Sequence, residues 1–525
     1  MRDFQLPGRS TTWTQNGMCA TSHPLAAQVA VNILKRGGNA MDAAIAGAVL
    51  LGFCEPQSTG IGGDCFVLWN RSGCHDVQAL NGSGRSPAQI SADDLRHSGL
   101  TTVPHDSPHS VTIPTAIEAF CYLSEHEGKL GIDALLAPSI HYAEHGIPVA
   151  PRVAFDWNRM THRLHGCAKD AYLVQNRAPS VGDIFRSPEQ AEVLRHIAKQ
   201  GRDGFYTGDV AEDLVQSLQN LGGTHALDDF AQTECMPTRP ISGTYDETEI
   251  MEHPPNGQGA TAILMLNILK HFDLAELDPL GHERAHIEAE AAKLAYRERD
   301  RIIADPDHSE DIDTILSSDT ASQLADKIDP KRASFVNQSV NETRPKDTVY
   351  ICVVDKDRMS VSLIYSIYYA FGSGMASERF KILFQNRGAG FSLEAGHPNE
   401  IGPGKRPLHT IIPAMLRTNS KIMMPFGVMG GAYQPNGHVR FLCNMCDYGM
   451  DPQEAIDAPR TFADEGKLLV EHGYSNDVCQ KLTDIGHTVA RPELPIGGAQ
   501  AIKIHANGTL EGASDPRKDG CAIGY

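Results

Sequence analysis

No stretch of this 525-residue chain is long and apolar enough to read as a membrane span. The longest apolar run, Ala43 to Cys54, is interrupted by Gly47 and Gly52 and reads as a buried helix. The opening residues, Met1-Arg2-Asp3-Phe4-Gln5, hold no apolar run of the kind that forms a secretory signal. Positive charge is also scarce: 46 Lys and Arg face 65 Asp and Glu, for a formal net charge of −19. That balance argues against nucleic acid and anionic membrane as partners, since both require a basic face. A local basic pocket for a small substrate remains compatible with it. The twelve cysteines form no framework, and Cys54, Cys65 and Cys352 lie in apolar runs. Reduced core thiols and a cytoplasmic location are therefore expected. Cys443-Asn444-Met445-Cys446 is the one close pair and lacks a second, so a zinc ribbon is unsupported. No repeat or low-complexity tract is present.

What is there is ordinary globular material, 41% hydrophobic and 21% charged. Pro24 to Arg36 has an amphipathic helical pattern stopped by Gly37-Gly38, and Asn39 to Leu51 restarts as a more apolar helix. Gly60-Ile61-Gly62-Gly63 then leads into a strand at Cys65 to Trp69. The run lacks G-x-G-x-x-G spacing and follows a helix, so it reads as tight backbone packing rather than a dinucleotide site. The middle of the chain, from about Pro114 to Asp300, is mostly helical in pattern. Ala285 to Arg301 is a charged helix with Ala289, Ala292, Leu294 and Ala295 as expected core contacts. Asp305 to Pro345 is polar and weakly periodic, an expected exposed connection where a cut does little structural harm. Strands and glycine-rich turns are expected to dominate beyond it.

Thr348 follows that connection and opens a β-branched run, Val349 to Val354. A second run, Met359 to Ser366, follows across Lys356-Asp357-Arg358, so the pair reads as a buried hairpin. A threonine heading a buried strand is either a plain strand opener or a hidden N-terminus. Cut just before it, the chain would give Thr348 a hydroxyl nucleophile and a free α-amine as base. His282-Glu283-Arg284-Ala285-His286 matches the H-E-x-x-H zinc-protease pattern. Gly281 and Pro279 put its first histidine at a helix start, which argues against a metal site. Gly430-Gly431, after the apolar run Ile422 to Phe426, offers either a tight turn or consecutive N–H groups for an oxyanion. Arg387, and Lys405-Arg406-Pro407-Leu408-His409-Thr410, taken alone read as solvated loops.

Together these segments resemble the γ-glutamyltranspeptidase (glutathione hydrolase) family nearly end to end. Ser22-His23-Pro24, Gly37 to Ala44, Glu55-Pro56 and the glycine turn look like its opening. Glu290 to Arg299 is similar to its E-A-x-K-x-A-Y-x-x-R helix, which recasts the H-E-x-x-H match as coincidence. Thr348 to Asp355 resembles the start of its small subunit. Phe371 to Gly374, Lys405 to Leu408, Gly430-Gly431 and Gly512 to Arg517 follow in order. The resemblance implies an α/β fold, the four-layer αββα N-terminal nucleophile hydrolase. It also implies a proenzyme that cuts itself at Asp347–Thr348 into subunits 1–347 and 348–525, together one structural body, with no cofactor. Thr348 is then the nucleophile, Ser366 the second hydroxyl, and Gly430 and Gly431 the oxyanion hole.

The glutamyl-reading residues depart from the family. The loop ending in N-Q-x-x-D-F-S is here Asn386-Arg387-Gly388-Ala389-Gly390-Phe391-Ser392, so Arg387 and Gly390 replace Gln and Asp. Tyr368 replaces an asparagine, and His409-Thr410 replaces a serine pair. The carboxylate-binding arginine aligns with Ser83, with Arg85 two residues on. An aspartate lost and an arginine gained implies a pocket that reads an anion, formed by Arg387, Arg85 and His409. This is similar to the branch that includes oxamate amidohydrolase. The expected partner is a small carboxylate-bearing amide; a γ-glutamyl substrate is the alternative. A cephalosporin-type acylase, a non-catalytic binding protein and a zinc protease stand further off. A higher oligomer is left open.

Overall fold

The hairpin that opens after residue 348 lies inside a sheet rather than at its edge. Val349–Val354 and Ser360–Ser366 pair antiparallel, Val349 opposite Tyr365 and Val354 opposite Ser360. Met18–Thr21 flanks them on one side and Asp64–Asn70 on the other. The computed structural model describes residues 8–74, 76–309, 311–334 and 348–525. Asp347 therefore lies outside the described residues.

The sheet has seven strands in the order Cys521–Gly524, Met18–Thr21, Val349–Val354, Ser360–Ser366, Asp64–Asn70, Val77–Gly82 and Met236–Thr238. A second sheet of seven runs Thr12–Thr14, Leu510–Ser514, Gly498–Ile504, Lys421–Met429, Ala414–Thr418, Thr248–Glu252 and Ile241–Tyr245. Val349, Ile351 and Val353 pack with the helix Ala40–Cys54. Tyr350, Cys352 and Val354 point the other way, into a core shared with Met429 and Ile502 of the second sheet. Both faces are buried, so the strand is apolar throughout instead of alternating.

Every residue of Ala40–Cys54 is buried, which explains a helix apolar on all sides. Its start is fixed by a capping box: Asn39 Oδ1 accepts the Asp42 N–H, and the Asp42 carboxylate accepts the Asn39 N–H. Gly259–Leu269, His282–Ile302 and Gln434–Cys446 cover the second sheet. The order is helix, sheet, sheet, helix: an α/β fold with the αββα layering of an N-terminal nucleophile hydrolase.

The glycine turn does what close packing requires. A Cβ on Gly62 would stand 2.1 Å from Leu383 O, and one on Gly63 would stand 2.4 Å from Ser366 O. Gly63 thus lets the turn lie against the end of the hairpin, and Gly62 lets it lie against the backbone at Leu383.

Three expectations need correction. The stretch after Asp305 is not simply exposed: Ser318–Ala325 is a helix, and Ala321, Leu324, Ala325 and Ile328 are buried. Beyond Thr348, helices accompany the strands, notably Gln434–Cys446, which carries both Cys443 and Cys446. In His282–Ile302, Leu294 is only half-buried while Ala285 and Ala291 are wholly buried. Among the described residues, no helix is long and apolar enough to cross a membrane, and all twelve cysteines are free thiols.

Candidate active site

Three polar side chains form a row across adjacent strands, at one end of the space between the sheets. Thr348 stands one residue before Val349, and its Oγ1 donates to Ser366 Oγ at 3.4 Å. Ser366 is in cross-strand register with Asp64, the first residue of the next strand. All three are buried, Thr348 with 1% exposure. Ser366 Oγ also accepts the Tyr368 N–H at 2.8 Å. Tyr368 holds φ +79°, a left-handed conformation that a bulky residue adopts only when its surroundings fix it.

The strand Lys421–Met429 ends at Gly430 (φ +122°) and Gly431 (φ +58°). A Cβ on Gly430 would also stand 2.9 Å from Gly497 Cα. Gln258 pins the back of this turn: its Nε2 donates to Gly431 O at 3.1 Å and to Thr410 O at 2.5 Å. Its Oε1 accepts from Arg299 Nη1 at 2.9 Å. Gln258 thus ties the glycine turn to the His409–Thr410 loop, a role that sequence pattern did not single out.

Arg387 is fully buried rather than a surface loop residue. Nη1 donates to Thr410 Oγ1 at 2.9 Å, and the guanidinium carbon lies 4.1 Å from the centre of the Tyr368 ring. Nη2 is 3.7 Å from Asp64 Oδ1. The other oxygen of Asp64 accepts from His409 Nε2 at 2.8 Å. His409 Nδ1 accepts the Ile411 N–H at 3.3 Å, which assigns the proton to Nε2. Burial, and then the Arg387 charge, lower His409 to about 4 against the opposing pull of Asp64, so its imidazole is neutral near pH 7. With its amide turned to satisfy its neighbours, Gln385 Nε2 donates to Asp64 at 3.0 and 3.3 Å, and its Oε1 accepts from Thr112 Oγ1 at 3.0 Å. Asp64 is the hub of the cluster. The one signal for it in the sequence is an acid directly after the glycine turn, heading the apolar run Cys65 to Trp69.

The structure brings Thr348, Ser366, Tyr368, Arg387, His409 and Thr410 together and leaves Arg85 outside. Arg85 is exposed, and its Nη1 donates to Gly404 O at 2.7 Å and faces Asp305 at 3.4 Å. The pocket also regains a carboxylate, Asp64, so the loss of an aspartate at position 390 does not leave it purely cationic. A Cβ on Gly390 would stand 3.1 Å from Leu408 O and 3.9 Å from the Tyr368 hydroxyl. Two cavities flank the site. One of about 700 Å³ is lined by Tyr368, Tyr369, Gly390, Phe391 and Arg299. The other, of about 860 Å³, is lined by Gly430, Gly497, Arg152, Lys467 and Arg491.

The H-E-x-x-H match does not assemble. Glu283 is exposed, whereas His286 is buried and engaged elsewhere: Nδ1 is 2.8 Å from His487 Nε2, and Nε2 donates to Asp329 O at 2.8 Å. Among the described residues, His286, Glu290 and His487 do converge closely enough for an ion. Glu290, however, already holds the Lys293 ammonium at 2.6 Å and the Ser334 N–H at 3.1 Å.

Comparison with known proteins places this geometry. Residues 26–525 match the family model described as gamma-glutamyltranspeptidase. The chain is 34% identical to the glutathione hydrolase-like YwrD proenzyme of Bacillus subtilis (strain 168), over 97% of this chain and 98% of that protein. It is 33% identical to the oxamate amidohydrolase proenzyme of Klebsiella pneumoniae, over 98% of this chain and 100% of that protein. The crystal structure of cephalosporin acylase from Bacillus halodurans superposes with a TM-score of 0.92 at 35% identity, covering 100% of this chain and 99% of that one.

Proposed function

This chain belongs to the gamma-glutamyltranspeptidase family and is a hydrolase acting on C–N bonds; from that premise we propose that it is a proenzyme which cuts itself at Asp347–Thr348 and then hydrolyses a small carboxylate-bearing amide. In the first reaction Thr348 Oγ attacks the Asp347 carbonyl and the peptide nitrogen leaves as the α-amine of Thr348. Water then hydrolyses the ester, giving subunits 1–347 and 348–525. The new amine, with a reference pKa of about 7.7–8.0, is suited to take the hydroxyl proton near neutral pH.

In the second reaction the same hydroxyl attacks the substrate amide, its proton passing to the α-amine. The oxyanion of the tetrahedral intermediate forms at the Gly430–Gly431 turn. The α-amine protonates the departing nitrogen, and water releases the acyl group from Thr348. Ser366 holds the nucleophile in place through the 3.4 Å hydroxyl contact.

The observation that carries the substrate class is Arg387: a guanidinium with no exposure, stacked on Tyr368 and bonded to Thr410. A cation so withdrawn from water favours a carboxylate strongly, because the pair forms at low dielectric. The experiment is a comparison of self-cleaved enzyme on oxamate, glutathione and γ-glutamyl-p-nitroanilide. Oxamate is expected to be turned over with the highest kcat/KM; a preference for either γ-glutamyl compound would overturn the reading.

A second reading is favoured by the two cavities, of about 860 and 700 Å³. Both are larger than oxamate needs and are of the size that holds drug-sized ligands. An amide with a bulky leaving group, as the acylase likeness suggests, would use them. Including a cephalosporin-type amide in the same comparison separates the two.

A further inference from the structure

Asp64 has no part in the covalent chemistry, yet three side chains of the candidate pocket converge on it. His409 donates to Oδ2 at 2.8 Å, the Gln385 amide donates at 3.0 and 3.3 Å, and Arg387 Nη2 faces Oδ1 at 3.7 Å. Its strand position, in register with Ser366, fixes it from behind. A buried carboxylate is tolerated only when such donors surround it. We propose that Asp64 is the positioning residue that sets acyl-group specificity: it holds His409 and Arg387 in place and sets the net charge beside Thr348, so that the site takes an acyl group bearing one carboxylate and no α-ammonium. The inference rests on the reading of the chain as a carboxylate-amide hydrolase and adds the residue that controls it.

The exclusion of an ammonium follows from the same contacts. Asp64 has no exposure and is already engaged by His409 and Gln385, so the carboxylate is not offered to a substrate. The family's own ammonium-reading aspartate is replaced by Gly390. An α-ammonium placed here would meet the Arg387 charge, with glycine rather than a carboxylate at position 390. Asp64 therefore acts on substrate only through its partners, and by tempering the positive charge of Arg387 it prevents a carboxylate product from being held too tightly.

The test is Asp64→Asn, read by competitive inhibition with oxalate and by the split between kcat and KM on oxamate. Oxalate is expected to bind roughly tenfold tighter, because the Arg387 charge loses its compensating partner. KM for oxamate is expected to fall with it, while kcat falls because His409 and Arg387 lose their common anchor. Asp64→Asn/Arg387→Met removes both charges and is expected to bind oxalate no better than Arg387→Met alone. Unchanged or weaker oxalate binding in Asp64→Asn overturns the proposal, as does tighter binding that persists when Arg387 is also replaced. If the single variant fails to fold, the double variant is expected to fold and self-cleave; failure of both also overturns the proposal, since Asp64 is then needed for packing rather than charge. Oxalate binding can be followed by thermal shift without turnover. A wild type inert towards oxamate would therefore sink the functional reading while leaving the role of Asp64 decidable.

Discussion

The Arg387 guanidinium carbon lies over the Tyr368 ring, 4.1 Å from its centre, and Tyr368, not Arg387, lines the cavity beside Gly390. The ring thus holds the guanidinium in place beside the site and stands between it and that cavity, so the proposed substrate carboxylate meets Arg387 from the Thr410 and Asp64 side. Such a contact between ring and cation contributes about 0.5–2 kcal/mol and holds the planar group in one orientation.

Arg387→Gln is accordingly expected to lower kcat/KM on oxamate by roughly 10²–10³-fold, the loss of a charge-assisted pair closed off from water. Self-cleavage is expected to continue, because it involves Thr348 and its immediate neighbours. Adding Gly390→Asp to that variant is expected to shift preference towards γ-glutamyl-p-nitroanilide. Steady-state rates of the three proteins on both substrates check this; three identical specificity ratios would end the anion-reading account.

Thr348→Ala is expected to leave a single band at 57.0 kDa on denaturing electrophoresis. The wild type is expected to give two, the smaller beginning Thr-Val-Tyr by N-terminal sequencing. An active wild type that stays uncut would refute the proposed nucleophile.

Gly430→Ala places a side chain at φ +122°, with its Cβ 2.9 Å from the Gly497 backbone. Relieving that contact must move the turn. A loss of about 10²-fold or more in kcat is expected, the scale of a disturbed oxyanion site. Near-normal kcat in a folded, self-cleaved Gly430→Ala protein would remove this turn from the mechanism.

Acid should destabilise the fold in a defined window. Burial lowers His23, His225, His409 and His487 to about 4, and His253 to about 3, from an ordinary value of 6.5. Between pH 6.5 and 4 the unfolded chain binds protons at these sites that the folded chain does not. Stability therefore falls as pH drops through that window and is flat with respect to these groups above it. Each contributes up to about 1.4 kcal/mol per pH unit there. Tm measured from pH 7.5 to 4.5 is expected to drop steeply below 6.5; a flat profile would contradict the assignment.

Metal removal offers a separate check. Lys293 and the Ser334 backbone already occupy Glu290, and His286 bonds to His487 and Asp329. Chelation is expected to leave amidase activity unchanged, and His282→Ala to retain most of it. Stoichiometric zinc lost together with activity would reverse the conclusion.

The hairpin, the apolar helix Ala40–Cys54 and the close packing of Gly62 and Gly63 were legible in the sequence because each is a local pattern: a period, a cap, a glycine where no Cβ fits. Arg387 was legible as a departure from the family but not as a buried group. Its charge faces Asp64, which lies more than 300 positions earlier and comes near it only in the folded chain. Arg85 was misplaced for the converse reason. Proximity to Ser83 along the chain put it near the pocket, but its side chain turns outward to Gly404 and Asp305. Gln258 was not legible because its amide nitrogen bonds two backbone carbonyls, which leave no mark on composition or spacing.

The order of strands has a consequence for the life of the molecule after the proposed cut. In the first sheet Val349–Val354 and Ser360–Ser366 are enclosed by Met18–Thr21 and Asp64–Asn70; in the second, four strands from beyond residue 348 are enclosed by Thr12–Thr14 and Thr248–Glu252. The two pieces are thus interleaved like fingers rather than docked face to face, and neither can leave without tearing a ladder on each side. The uncut chain folds as one thread, with its ends already joined. Once nicked and then denatured, the same residues become two diffusing strangers whose reunion depends on concentration. Maturation by the proposed cut is therefore a one-way door: the interleaved ladders that resist separation are not readily remade once they are lost.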